Sequence, residues 1–522
     1  MTALLAPRDT SGALAELRQA RRHNHQTAVH WIDALYRVYI IGLVCSVAVI
    51  LGSGLFGDEK LSAEQTADFI THAPAWLGLA FAVAVGIGMR SGARGGPLTL
   101  QAATVQYELQ APIDRTLTLR APAFKQLRFM AYAGLLVGAC VGILGVRRFE
   151  DSPVIVVLGC AAAFALALAL AVAVAMIFSG RRIGIWPANI AAVVLLAWSA
   201  ADVYAGIQTS PLSMLGSVAV WGVSFIALGI VGIVIALVAL PLALVGIGGI
   251  SIDDARRRAG LVAQLRFAVT LQDIRTVVLL RRQLSQETPR TKPWIPMKRG
   301  GRMPAIWRRD WRGYFRFPLV RLARMIVLAV VAGLALGLTW TGATPAFIVA
   351  GLALYVAGYD AVEPLSQEVD HPSRWDDIPQ DHGMTLLSHL PAAFVVMVLL
   401  CLVAAASALV FAPAEVVLAL LPVAIVPVAT ASLMAAALST AMGSPDVAKM
   451  MAGFGADMMG WVLLFRLVAP PALVLLALAP LLAAGGDPAA VDTTRVSNFI
   501  GYSFIVAASV ILYLRYQKPA RL

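Results

Sequence analysis

The chain is short of most of what soluble catalysts are built from. Only 13% of its 522 residues are charged, against about 25% in soluble domains. Lysine is the rarest charged residue, with six in the chain, and none closes a G-x-x-x-x-G-K-[ST] phosphate loop. Nucleotide hydrolysis by that loop is therefore excluded here. Neither H-E-x-x-H nor G-x-S-x-G occurs, so two common hydrolase signatures are missing as well. The four cysteines, Cys45, Cys140, Cys160 and Cys401, lack C-x-x-C spacing and lie inside apolar runs. They read as small core hydrophobes rather than disulfides or metal ligands. No cleavable leader is visible. The segment before the first apolar run is polar and basic, and that run is long enough to stay in a membrane.

What is present is apolar: 59% of the residues are hydrophobic. A spanning helix needs about 20 apolar residues, and twelve runs approach that length. The first six lie near 35–56, 73–89, 127–146, 153–179, 185–203 and 217–249. The second six lie near 319–340, 344–359, 389–411, 414–442, 460–483 and 496–515. Pro241, Pro422, Pro427, Pro470 and Pro471 fall inside runs, where membrane bundles tolerate kinks. The expected fold is an all-α polytopic membrane protein of about 12 transmembrane helices. Two six-helix halves, 1–249 and 303–522, flank a basic cytoplasmic linker, 250–302. Six is even, so both halves start on the same side and the repeat is parallel.

Orientation follows from arginine and lysine near the run ends. Arg8, Arg18, Arg21 and Arg22 precede the first run. Arg90, Arg94, Arg115, Arg120, Lys125 and Arg128 follow the second, Arg181 and Arg182 the fourth, and Arg515, Lys518 and Arg521 the last. The opposite loops are bare or acidic, apart from Arg147, Arg148 and Arg495. Both termini are thus expected in the cytoplasm. The net charge of +12 is assigned to anionic headgroups rather than nucleic acid. Arginine outnumbers lysine and alanine is abundant, a composition of GC-rich bacterial genomes. A bacterial cytoplasmic membrane is the expected location.

Each half opens on an amphipathic stretch. Trp307, Trp311, Tyr314 and Phe315 share one helical face, with Arg308, Arg309, Arg312 and Arg316 on the others. Ala28, Trp31, Ile32 and Leu35 repeat the spacing beside Arg21 and Arg22. Both fit helices in the headgroup layer, as anchors or as moving gates.

Long polar loops follow the second run of each half, at about 90–126 and 360–388. The first contains Tyr107-Glu108-Leu109-Gln110-Ala111-Pro112-Ile113-Asp114-Arg115. The second contains Glu363-Pro364-Leu365, Glu368-Val369-Asp370-His371-Pro372-Ser373-Arg374 and Trp375-Asp376-Asp377-Ile378-Pro379. Each combines proline, aspartate and arginine before the chain returns to the membrane, a pattern that favours a turn and a short helix. The segment Gln110 to Arg115 resembles the s-P-x-s/d-R turn after the second span of ABC-2-type permeases. Leu271 to Val277, with Arg281, Arg282, Gln283 and Leu284, resembles the central linker of actinobacterial duplicated ABC exporter permeases. The acidic second loop departs from the pattern.

The resemblance implies an exporter permease for a hydrophobic or amphipathic substrate, with ABC ATPase subunits, two in number, as partners beside membrane lipids. It makes Gln110, Pro112, Asp114 and Arg115 of the first loop ATPase-coupling residues. In the second loop it assigns that role to Glu368, Asp370, His371, Pro372, Arg374, Asp376 and Asp377. This chain would carry no catalytic residue, metal or cofactor, with ATP and Mg held by the partner ATPase. A major-facilitator-like secondary transporter also has twelve spans in parallel halves, but its G-x-x-x-D-x-x-G-R-R-like turn is missing. A non-transporting membrane scaffold is a third class.

Charges within apolar runs are candidates for a translocation path. Asp202, Asp457 and Arg466 qualify, with Arg466 read either as a path residue or as half of a buried structural pair. Arg37 and Arg324 lie near run ends, where snorkelling suffices. His371, Asp376, Asp377, Asp381, His382 and His389 could hold a divalent cation or form a solvated acidic face, and the lack of ligand spacing favours the face.

Overall fold

The computed structural model describes residues 31–53, 60–101, 103–111, 114–149, 153–270, 289–297, 304–370, 381–443, 447–483 and 493–516, with a few positions between 276 and 284. Among these there is no strand. The chain forms two compact units, Met1–Ala263 and Gln264–Leu522.

The first unit contains α1 (Trp31–Ser53), α2 (Ala63–Gly92), α3 (Arg115–Val146), α4 (Pro153–Gly180), α5 (Ile185–Ala205), a short α6 (Pro211–Gly216), α7 (Leu228–Gly246) and α8 (Ile252–Thr270). The second contains α9 (Ala305–Tyr314), α10 (Leu319–Trp340), α11 (Ala346–Ala361), α12 (Glu363–Asp370), α13 (His382–Ser388), α14 (Leu390–Ala408), α15 (Ala414–Ala441), α16 (Val447–Ala483) and α17 (Thr493–Arg515). The molecule is an all-helical membrane protein. Among the described residues nine helices are long and apolar enough to cross a bilayer, or ten if α11 and α12 count as one span bent by 59°. The first and last expected runs fall on α1 and α17, of 23 residues each, outside that count. Ile190, Val193 and Val194 of α5, all more than half exposed, form an apolar surface suited to lipid tails and not to water.

The sixth expected run, 217–249, is not one helix. Ser210 caps α6 by accepting from Ser213 N at 3.1 Å, and the helical turn continues only through Ser217–Val220. Trp221 then donates its indole N–H to Ile226 O at 2.9 Å, closing the reversal. Spanning helix begins at Leu228. Pro211–Val220 is apolar and buried against α2 and α4. At about 1.5 Å per residue it reaches about 15 Å, half of an about 30 Å hydrocarbon core. The expected run is therefore shortened at its start: Ser217–Val220 is a buried turn, and the span itself is Leu228–Gly249.

Close helix approach organises the first unit. Gly134, Gly138 and Gly142 repeat every fourth residue on α3, facing α4. A β-carbon on Gly134 or Gly138 would overlap the carbonyl oxygen of Phe164 or Cys160, and one on Gly142 would lie 2.7 Å from Val157 Cα. Small residues at this spacing let helix backbones touch, and contact rather than hydrophobicity drives association in lipid. Gly138→Ala is expected to cost about 1–3 kcal/mol because rigid backbone must move. Thermal unfolding in detergent should show the drop, whereas Gly260→Ala, with open space around its site, should melt like the parent.

The basic segment expected as a linker, 250–302, begins inside the first unit. Its leading part is α8, whose Ala255 and Ala259 are buried in the first-unit core with Ile247 and Val172. Arg257 Nη2 donates to Arg94 O at 3.3 Å.

Candidate functional site

The first polar loop is stitched to its unit from within. The chain leaves α2 through Gly95 and Gly96, at φ 95° and 79°, where a side chain would be strained. Leu98, Leu100, Val105 and Leu109 are then buried with Leu119, Val172 and Met176. Thr104–Glu108 forms a widened π-helical turn. With Val105 and Leu109 turned inward, Gln106, Tyr107 and Gln110 remain exposed, Tyr107 at 68%. Asp114 caps α3 by accepting from Thr116 N at 2.9 Å, satisfying a backbone donor that the first helical turn leaves open. Arg115 is exposed at the start of that helix. Pro112 lies outside the described residues. The result is a rigidly based loop with a polar, hydrogen-bonding ridge.

The second loop begins as α12. Pro364, Leu365, Ser366 and Glu368 are buried, while Gln367 and Asp370 are exposed. Asp370 accepts from Ser366 Oγ at 3.3 Å. His371, Pro372, Arg374, Asp376 and Asp377 lie outside the described residues. Glu368 has no exposed surface and pairs with Arg309 of α9, so its carboxylate braces the loop internally.

That pair belongs to a larger network at the ends of five helices. Asp310 of α9 accepts from His389 Nδ1 at 2.8 Å, both groups being buried. Tyr314 donates its hydroxyl to Ala361 O at 2.5 Å. Burial pushes the ionisation of Tyr314 well above the usual phenol range, so it remains a donor. Arg321 of α10 donates from Nε to Asp360 Oδ1 at 3.0 Å and from Nη2 to Glu363 Oε2 at 2.9 Å. Arg324, expected only to snorkel, instead donates to both oxygens of Asp360 at 2.8 Å. The network joins α9, α10, the α11–α12 corner and the start of α14. The aromatic face expected on α9 is present, with Tyr314 buried and Trp311 packed against the core. Asp310, hidden among arginines in the sequence, gives α9 a fixed polar root as well.

Sequence reasoning singled out Glu368 and Arg324 but not Asp310, Arg321 or Asp360 as members of one site. A signal was available: two arginines one turn apart open one run, and Asp360 with Glu363 ends the next. Antiparallel neighbours bring those ends together.

The candidate path residues are engaged with helix ends. Asp202 accepts from Thr209 N at 3.1 Å and Ser210 N at 2.7 Å, holding the turn after α5. Arg466 donates to Met442 O at 2.8 Å and Gly443 O at 2.7 Å. There it satisfies carbonyls at the end of α15 and complements the negative end of the helix dipole. Asp457 lies on α16, and its side chain is outside the described set. Among the described residues no group of three or more His, Cys, Asp or Glu is arranged to hold a metal. His389, one member of the acidic loop cluster in the sequence, is drawn inward to Asp310.

Comparison with family models, curated proteins and solved structures returned no match.

Proposed function

We propose that the chain is the membrane permease subunit of an ABC-type exporter, moving a hydrophobic or amphipathic substrate and powered by two separate ATPase subunits. In this reading it has twelve spans in two parallel halves, with both termini in the cytoplasm of a bacterial cell. The observation that carries the proposal is the buried network beneath the second loop. A push on α12 acts on Arg309 through Glu368, and on Arg321 through Glu363. The force reaches α9 and α10 because each pair has a buried member, Glu368 in one and Arg321 in the other, whose charge is costly to leave unpaired. The ridge of the first loop gives an ATPase a second place to press. ATP with Mg on the partners closes the ATPases, the loops move, and the helices change access by rigid-body motion.

Mass measurement of the detergent-solubilised assembly tests this. The expected species is one copy of this chain with two ATPase subunits. Substrate transport by the chain reconstituted without any ATPase would overturn the proposal and favour a secondary transporter.

A further inference from the structure

Before α9 the chain passes through a non-helical segment, 289–297, that is bonded to the turn between α9 and α10. Arg290 N donates to Arg316 O and Trp294 N to Phe315 O, each at 2.8 Å. The Trp294 indole donates to Phe317 O at 2.9 Å. The Arg290 guanidinium lies over the Trp294 ring, 3.6 Å from its centre. Phe317 stands just ahead of Leu319, the first residue of the spanning helix α10. The tryptophan is thereby held level with the point where α10 enters the bilayer.

The stretch Pro293-Trp294-Ile295-Pro296 is built to leave water. Proline has no backbone N–H, and Trp294 directs both its backbone and its indole donor to the protein's own carbonyls. At most the Ile295 amide is left for a headgroup or a water to satisfy. Unsatisfied backbone donors are what make irregular chain costly at membrane depth, and this stretch has few. Its large side chains nonetheless face outward, Trp294 at 42% exposure and Ile295 at 55%. Leu319, at the start of α10, is 65% exposed. Arg290 and Lys292, both exposed, precede the stretch and bring positive charge to a surface of anionic headgroups.

The aromatic face of α9 is turned the other way: Tyr314 is buried and Trp311 packs against the core. Neither ring is placed to hold this corner in the headgroup layer. A fixed tryptophan beside an exposed isoleucine, at the mouth of a spanning helix and preceded by cations, has the composition of a membrane-interface anchor. We propose that residues 293–296 dip into the lipid headgroup layer and anchor the entry of α10. This part of the expected cytoplasmic linker is then a membrane-contacting element, and its partner is the bilayer surface. The inference rests on α10 spanning the bilayer and not on the exporter reading.

The test places the photo-crosslinking residue p-benzoylphenylalanine in the full chain, in nanodiscs of phosphatidylcholine and phosphatidylglycerol. Ile295→p-benzoylphenylalanine keeps every hydrogen bond named above, and its side chain is exposed, so the fold should be unchanged. Illumination followed by intact-mass measurement should show phospholipid adducts. Asp370→p-benzoylphenylalanine, exposed at the end of the polar helix α12, is the control and should lose them. If the probe at 295 lowers the folded yield, the same probe at the exposed Pro296 reads the same contact. Equal adduct yields at 295 and 370, or no lipid adduct at 295 and 296, overturn the proposal. So does a crosslink from 295 to a second copy of the chain, which would make the stretch a protein contact.

Discussion

Asp360→Ala should be among the most damaging single substitutions in the second unit. Asp360 is buried and accepts from both Arg321 and Arg324. Removing it leaves Arg321, 7% exposed, with Glu363 as its remaining carboxylate, and leaves Arg324 without that partner. Breaking a buried pair from one side typically costs about 3–5 kcal/mol, because the surviving charge stays desolvated. That is a large part of the about 5–15 kcal/mol that holds a typical domain together. Arg324→Met is the control. Arg324's side chain is 21% exposed, and Arg321 still engages Asp360 without it, so about 1 kcal/mol is expected. Thermal unfolding in detergent and folded yield should rank parent, Arg324→Met and Asp360→Ala in that order. If Asp360→Ala melts with the parent, the network is not structural and cannot transmit force from α12.

The long apolar runs made the helical membrane architecture legible, because in lipid a helix must satisfy its own backbone and the required length is fixed. Among the described residues, nine runs coincide with helices that qualify as spans. The run at 217–249 holds the span Leu228–Gly249 but starts too early, because hydropathy reports burial from water and the buried turn Ser217–Val220 is as apolar as a span. The capping Ser210 and the turn-closing Trp221 held the correction, but each is a single residue beside an apolar window. The glycine spacing on α3 was legible in principle, since Gly134, Gly138 and Gly142 stand four apart. Charged residues were less transparent. A lone Arg466 or Asp202 in an apolar run reads as functional by default, yet each satisfies backbone groups at a helix end. Their partners are mostly backbone carbonyls and amides, with the Thr209 hydroxyl beside Asp202, and backbone groups leave no sequence pattern to announce them. The network around Asp360 and Asp310 depends on helix ends meeting across up to 80 residues, beyond the reach of local spacing.

Tyr107→Ala combined with Arg115→Ala should abolish ATPase association while leaving the fold unchanged. Tyr107 and Arg115 are exposed, and surface substitutions usually stay within about 0.5 kcal/mol. Nothing in the buried stitches of Leu98, Val105 and Leu109 is touched. A charge-assisted hydrogen bond from a guanidinium to a partner contributes about 1.5–3 kcal/mol, so losing Arg115 alone should weaken binding about tenfold or more. Removing the Tyr107 ring adds lost contact area at the same ridge. Asp114→Ala separates folding from docking. It removes the cap on Thr116 N and should cost about 1 kcal/mol of stability, which the double variant should not. The readouts are melting in detergent, ATPase capture on the immobilised chain and substrate-stimulated ATP hydrolysis in the reconstituted complex. The double variant should melt as the parent does yet lose capture and stimulation, whereas Asp114→Ala should melt earlier. A double variant that captures ATPase and transports normally removes the first loop from the coupling path. One that fails to fold makes the ridge structural, because an exposed side chain whose loss unfolds the unit must be holding the unit together.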